Sequence, residues 1–377
     1  VNCRLHPVFC IVPPHILKNI AQHGTAEQRV WVEKTMEVST QFHGQRSAMG
    51  SLRDAIAGLA VSAGKQRMVY TAEQGSTLPG RLVRREGDPP LTNDPAVNEA
   101  YDGAGWTYDL FKEVYGRDSI DRRGLRIDST VHYLKGYDNA FWNGSQMVYG
   151  DGDEDLPPNQ RIFNRFTLAL DVIGHEMTHG ITQREAALEY ADQPGALNES
   201  FSDVFGALVK QYHLRQGARE ADWLIGKGLF TSQIKAQGIR SLKAPGTAYN
   251  DPLIGKDPQP AHMRDYLQTS DDNGGIHINS GIPNHAFYVT AYELGGLAWE
   301  KAGKIWYVAL CDRLQTRSTI SDCANLTYTV AGELYGSNSL EQKAVRKGWS
   351  EVGVEVVVIQ ETWYERMRRW LQQCCGR

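Results

Sequence analysis

Residues 171–183 read DVIGHEMTHGITQ and hold the densest chemistry in the chain. His175 and His179 are four residues apart, so on a helix they share a face and can hold one metal ion between them. Glu176 lies beside the first of them, placed to take a proton from a water at that metal. This is the HExxH arrangement of zinc hydrolysis. A hydrolytic zinc takes three protein ligands and keeps one position open. The third ligand is expected at Glu199, in ALNESFSDVFGAL, twenty residues beyond His179. Asp203, one turn later on the same face, can accept the remaining N–H of a ligand histidine. Further on, DDNGGIHINSG allows a tight backbone at its paired glycines that projects His277. Asp272 can hold that ring in one tautomer and keep it cationic. A cation facing the zinc would stabilise the oxyanion of a tetrahedral intermediate. Taken singly, His277 reads as a structural histidine; its company assigns it to catalysis.

The elements that must carry these groups fall into four zones. Residues 1–60 form an N-terminal segment. It opens with Pro13-Pro14 and continues into a helix from about Thr25 to Val38, with Thr25 as its cap and Ala26, Val30 and Met36 on its apolar side. Its last part, from about residue 45, is small and weakly patterned, which suits a protease-accessible linker. Residues 61–182 read as strands and turns: RMVYTAE, LPGRLVRRE and DSTVHYL are strand-like around a helix from Pro95 to Tyr115. NAFWNGSQMVYGDGDEDLPPN has too many turn formers for a regular element. Residues 183–353 carry apolar residues at helical spacing, including Leu197 to Gln216, Ser280 to Leu294 and Trp299 to Leu314; Phe166 to Thr182 precedes them. Residues 354–377 form an extension, VEVVVI as a strand and ETWYERMRRWLQQ as an amphipathic helix. That helix either packs on the body or meets a membrane surface or partner. The class is α+β, with a β-rich N-terminal lobe and a helical C-terminal lobe.

Composition sets limits. The 377 residues suffice for two lobes sharing a cleft, and a formal net charge of −4 gives no sign of a nucleic-acid partner. No apolar run is long enough to span a bilayer. The first residues, VNCRLHPVFCIVPPHILKN, do not make a standard signal peptide. Six cysteines are too few for a disulfide framework; Cys311 and Cys323 either pair or stay as free thiols.

The segments NAFWNGSQMVYGDGD, GHEMTHG, GALNESFSDVFG and DNGGIHINSGIPNHAFY, in this order, resemble the thermolysin-like neutral metalloproteases, gluzincins with a separate Glu ligand. The likeness covers about residues 65–353. It implies a two-lobed fold with one catalytic zinc between the lobes, on His175, His179 and Glu199, and Glu176 polarising the attacking water. It implies that Tyr190 and His277 hydrogen-bond the oxyanion while Asp272 orients His277. Asn139 and Ala140 then bind the peptide backbone, and Arg240 holds the carbonyl of the residue after the cut. Phe163, Phe166, Val172, Ile225 and Ile239 would line that residue's pocket, so cleavage before Leu, Phe or Ile of peptide and protein substrates is implied. By the same resemblance the enzyme is a secreted monomer, although the missing signal leaves an intracellular site open.

Two departures stand out. Members of the family bind a pair of calcium ions through clustered carboxylates. Here Asp171 and Asp222 remain, but Lys210, Leu224 and Lys227 occupy three other positions. The double calcium site is therefore expected to be absent, with Lys210 and Lys227 pairing with the two aspartates. A single calcium at the DGDED cluster is left open, against solvated loop acids, and Glu154 to Gln160 reads as an insertion beside Phe163. The stretch from Pro13 to Leu17, PPHIL, resembles the short propeptides of the protealysin-like branch. Residues 1 to about 60 are then a pro-segment and linker, an intramolecular inhibitor that occludes the cleft. One variant of this expectation has Cys10 or His15 touching the zinc. A catalytically silent relative and a hydrolase of non-peptide substrates are the rivals; intact Glu176 opposes the first, Asn139 and Arg240 the second.

Overall fold

Helix boundaries follow local signals in the computed structural model, in which residues 9–38 and 64–357 are described. Asp94 caps the helix Pro95–Tyr115 by accepting from the Val97 N–H, with proline at its first turn. Gly116 ends it in the left-handed region at φ 72°. In chain order the elements before it are β1 (Phe9–Cys10), α1 (Pro14–His23), α2 (26–38), β2 (Arg67–Thr71) and β3 (Arg81–Arg85), which makes this helix α3. Then come β4 (Ile127–Val131), β5 (Ala140–Trp142), β6 (Met147–Tyr149), α4 (Leu170–Arg184) and α5 (Asp192–Leu214). Short pairs follow: β7 (Leu224–Ile225) with β8 (Arg240–Ser241), and β9 (Asn250–Asp251) with β10 (Gly255–Lys256). The described residues close with α6 (Asp272–Asn279), α7 (Gly281–Leu294), α8 (Ala302–Asp312), α9 (Ile320–Tyr335) and α10 (Leu340–Glu351).

The larger sheet has the order β1-β5-β6-β4-β2-β3. β2, β4 and β6 run parallel, while β5 runs antiparallel to β6. β1, from the N-terminal segment, adds to the free side of β5, antiparallel, with Phe9 opposite Trp142 and Cys10 opposite Phe141. The architecture is mixed α+β, with the sheet in the first lobe and a helical second lobe.

Helix α4 joins the two. Every residue from Asp171 to Thr182 is buried, so this helix has no solvent face. It packs along α5 at very close range. A Cβ added to Gly206 would lie 2.4 Å from the Asp171 carbonyl oxygen. Glycine there lets the two helices approach until His175 and His179 face Glu199.

Several sequence expectations shift. Helix α2 starts where predicted, with a reciprocal Thr25–Gln28 cap, but its inward face is Gln28, Val32 and Thr35; Val30 is 61% exposed and Ala26 is also outward. The stretch predicted to be irregular contains β5 and β6, because the Asn143 side chain nucleates a tight turn between two apolar triplets. Phe166–Leu168 is a 3-10 turn ahead of α4 rather than part of it. The DGDED acids are only partly solvated: Asp155 is exposed as expected, but Asp153 is 1% exposed and accepts from the Ile162 and Phe163 N–H groups, Asp151 pairs with His132, and Glu154 with Arg165. Cys311 and Cys323 are both free thiols. Residues 354–357 are irregular; the rest of the expected terminal strand and its aromatic helix lie outside the described residues. Among the described residues no helix is long and apolar enough to cross a membrane.

Candidate active site

Among the described residues, one group of His, Cys, Asp and Glu side chains has the geometry for a metal ion. It is His175, His179 and Glu199, whose ligand atoms lie within 4.8 Å of one another, and all three are buried. The outer nitrogen of each histidine is already engaged. His175 Nδ1 donates to Asp203 Oδ1 at 2.9 Å. His179 Nδ1 lies 2.9 Å from Asn198 Oδ1 and 3.0 Å from Ser202 Oγ. Both Nε2 atoms are thereby left to converge on one point. Glu199 Oε2 is buried without a hydrogen-bond donor, a costly state for a carboxylate oxygen unless a cation meets it. Two imidazole nitrogens and this carboxylate are a donor set that fits zinc. Glu176, on the same helix beside His175, is fully buried.

The α6 turn positions the next group. Asp272, Asn273, Gly274 and Gly275 all have positive φ, between 51° and 92°. The turn folds Asp272 back onto His277: Oδ2 accepts the His277 N–H at 2.9 Å and Oδ1 accepts from Nδ1 at 2.7 Å. His277 Nε2 lies 2.9 Å from the Cys10 carbonyl oxygen and 3.4 Å from the Tyr190 hydroxyl. Since neither Asp272 nor the Cys10 carbonyl can donate, both ring nitrogens carry protons. Burial lowers the pKa of this ring, but the Asp272 and Glu199 carboxylates outweigh it and raise it to about 9. The Tyr190 hydroxyl donates to Glu199 Oε1, and burial, then Glu199, push its own pKa well up.

On the other side of the cleft, Arg240 sends Nε and Nη2 to the two oxygens of Asp203, at 2.7 and 2.8 Å. Its Nη1 donates to the Ile11 carbonyl at 2.9 Å. Burial opposes the charge on Asp203, yet Arg240 and His175 hold its carboxyl far below the usual range. The Ile11 N–H donates to the Ala140 carbonyl at 3.1 Å, and the Val12 N–H to Asn139 Oδ1 at 3.0 Å. Phe163, Phe166, Val172, Ile225 and Ile239 are each at most 1% exposed and share a continuous apolar cluster with Ile11, itself fully buried.

Tyr190, Asp272, His277, Arg240, Asn139 and Ala140 thus meet around the metal-type group and residues 10–12, while the five apolar residues belong to the buried core that includes Ile11. Cys10 enters the site through its carbonyl, and His15 binds the Tyr249 hydroxyl at 2.6 Å. Sequence reasoning missed Asn198, Ser202 and Asn284. Asn198 and Ser202 flank Glu199 on α5, so their helical spacing was the available signal. Asn284 had none. In place of calcium-like carboxylate clustering, Lys210 Nζ sits 2.7 Å from Asp171 and 3.0 Å from Asp222, and Lys227 reaches Asp222 alone, at 3.3 Å.

Comparisons with known proteins place this geometry. Residues 33–183 match the thermolysin metallopeptidase catalytic domain, and residues 186–354 match the thermolysin metallopeptidase alpha-helical domain. An extracellular metalloprotease of Pectobacterium carotovorum subsp. carotovorum is 49% identical over 355 residues, 94% of this chain and 98% of that one. Protease PrtS of a Photorhabdus species is 46% identical over 92% of each chain. The solved precursor of protealysin, a metalloproteinase from Serratia proteamaculans, superposes with a TM-score of 0.81 at 48% identity, covering 92% of this chain and 99% of its own. With both halves of the chain matched and relatives this similar along nearly their whole length, the chain belongs to the thermolysin metallopeptidase family, and it is a zinc metalloprotease.

Proposed function

We propose that the protein is a zinc endopeptidase held latent by its own N-terminal segment, and that it cuts peptide bonds before Ile, Leu or Phe. One observation carries this reading. The chain from Cys10 to Val12, at and just past the end of β1, is hydrogen-bonded at four points to His277, Arg240, Ala140 and Asn139. An extended peptide substrate needs those same donors and acceptors. In this register Ile11 stands where the residue after the cut would stand. Its burial among apolar side chains supports the implied preference.

His175, His179 and Glu199 would hold the zinc, which supplies Lewis acidity toward a carbonyl and a more acidic water. Glu176 takes the proton of the attacking water and delivers it to the leaving amine. Tyr190 and the doubly protonated His277 donate to the oxyanion, with Asp272 fixing the ring. Arg240, Asn139 and Ala140 align the substrate backbone, and Asp203 keeps His175 in its tautomer. Lys210 and Lys227 neutralise Asp171 and Asp222, so we propose that no calcium pair binds there. The relatives named as extracellular support action outside the cell, and a cleft complete within one chain supports a monomer.

The test is cleavage of a peptide containing a Gly-Leu bond after removal of the N-terminal segment, with zinc measured in parallel. One zinc per chain and chelator-sensitive cleavage, reduced at least a thousandfold in Glu176→Gln, are expected, the order of magnitude being that of losing both general acid and base roles. Cleavage indifferent to chelator, or undiminished in Glu176→Gln, would refute the reading.

A further inference from the structure

Asp203 is the joint between two parts of the site. Its carboxylate is fully buried and accepts four hydrogen bonds. Oδ1 takes one from His175 Nδ1 at 2.9 Å and one from Arg240 Nη2 at 2.8 Å. Oδ2 takes one from Arg240 Nε at 2.7 Å and one from Asn284 Nδ2 at 2.9 Å. An ionised carboxylate offers about four acceptor positions, so this one is saturated. Three of the four bonds come from residues with their own tasks, His175 toward the metal and Arg240 toward the Ile11 carbonyl. The fourth comes from Asn284, in the first turn of α7, whose side chain makes no other hydrogen bond.

Asn284 is also an expensive residue at this position. It is fully buried, and its Oδ1 has no hydrogen-bond partner. An apolar side chain of the same size would avoid that desolvation. The amide cannot reverse to relieve it, because its oxygen would then face the Asp203 carboxylate. A buried polar group whose one bond goes to the joint points to a role in setting the joint's orientation.

We infer that Asn284 is a positioning residue: it fixes the Asp203 carboxylate plane so that the carboxylate serves His175 and Arg240 at once. Without it, the His175 bond and the two Arg240 bonds remain, and Oδ2 is held by Arg240 alone. The plane can then turn toward the guanidinium, loosening the His175 imidazole and the arm that grips the peptide carbonyl together. The inference rests on the zinc reading given above.

The experiment uses the full-length chain in a Glu176→Gln background, which keeps the N-terminal segment in place. Two rates are compared between this parent and its Asn284→Leu variant: transfer of zinc to a competing chelator, and hydrogen exchange of the Ile11 and Val12 amides. Both are expected to rise about tenfold, the lower end of what loss of a supporting hydrogen bond does at metal sites, while the thermal midpoint stays equal or increases. Unchanged rates with a lowered midpoint would show that Asn284 only packs, and would overturn the inference. Should the leucine variant not fold, Asn284→Ser is read by the same two rates and the same criteria. If the parent itself carries no zinc, the reading of the site fails, and amide exchange alone still decides the role of Asn284.

Discussion

His15 follows Pro14 at the start of α1 and meets the Tyr249 hydroxyl through Nε2, while its Nδ1 is shut off from solvent without a partner. Burial lowers its pKa from 6.5 to about 4; Asp272 opposes this, and His277, Arg240 and Lys18 add to the lowering. The docked ring therefore excludes a proton that the released ring accepts. Docking is at full strength above about pH 6.5 and weakens as the pH falls toward 4. The complete difference is roughly 3 kcal/mol at most, since the ring keeps some solvent exposure. The protection of the Ile11 amide, its exchange rate divided by the intrinsic rate at each pH, should fall between pH 7 and 5 in the native chain and much less in His15→Phe; a parallel fall in both would remove His15 from the explanation. At this scale the sequence was most informative where a residue type is rare and its chemistry narrow. His175, His179, Glu176 and Glu199 could be read directly. Asn198, Ser202 and Asn284 could not, because a helical Asn or Ser is common and its hydrogen-bond partner is set by tertiary packing.

Lys210 ties three elements together: α5, which carries it, α4 through Asp171, and β7 through the Leu224 carbonyl at 2.6 Å. Burial alone would lower its pKa, but Asp171 and Asp222 outweigh this and raise it. Removing one partner of such a buried pair leaves an uncompensated charge, so Lys210→Ala should cost about 3–5 kcal/mol in denaturant unfolding. Millimolar calcium should leave the unfolding midpoint of the native chain unchanged. A calcium-dependent rise would defeat the view that lysines have taken the ions' place. Long helices such as α3 and α5 were legible because their caps and apolar spacing agree over many residues. β5 and β6, three residues each, were not. They are held by each other across the Asn143 turn, by β1 and β4 on their outer sides and by burial, none of which leaves a clear pattern in six residues.

Among the described residues, the N-terminal segment binds both lobes: β5 through Ile11, Asn139 through Val12, and the helical lobe through Arg240, His277, Tyr249 and the Ile254 carbonyl held by Asn19. Its grip depends on Ile11 in an apolar surrounding, worth about 1.5–3 kcal/mol for the side chain alone. Ile11→Asp adds the desolvation of a charge, so the uncut full-length chain should hydrolyse a small peptide at least tenfold faster than the native precursor. A gel showing intact chains in the same samples makes that measurement meaningful, and equal latency would show that other contacts carry the inhibition. The position of β1 has one more consequence. When it departs, β5 becomes the bare margin of a five-stranded sheet, with unsatisfied peptide groups open to any extended chain that arrives. Such a margin recognises backbone, not sequence. It is also a standing invitation to unwanted strand-to-strand association, which its length of only three residues keeps small. On the proposed reading, β1 covers this edge until a peptide takes its place.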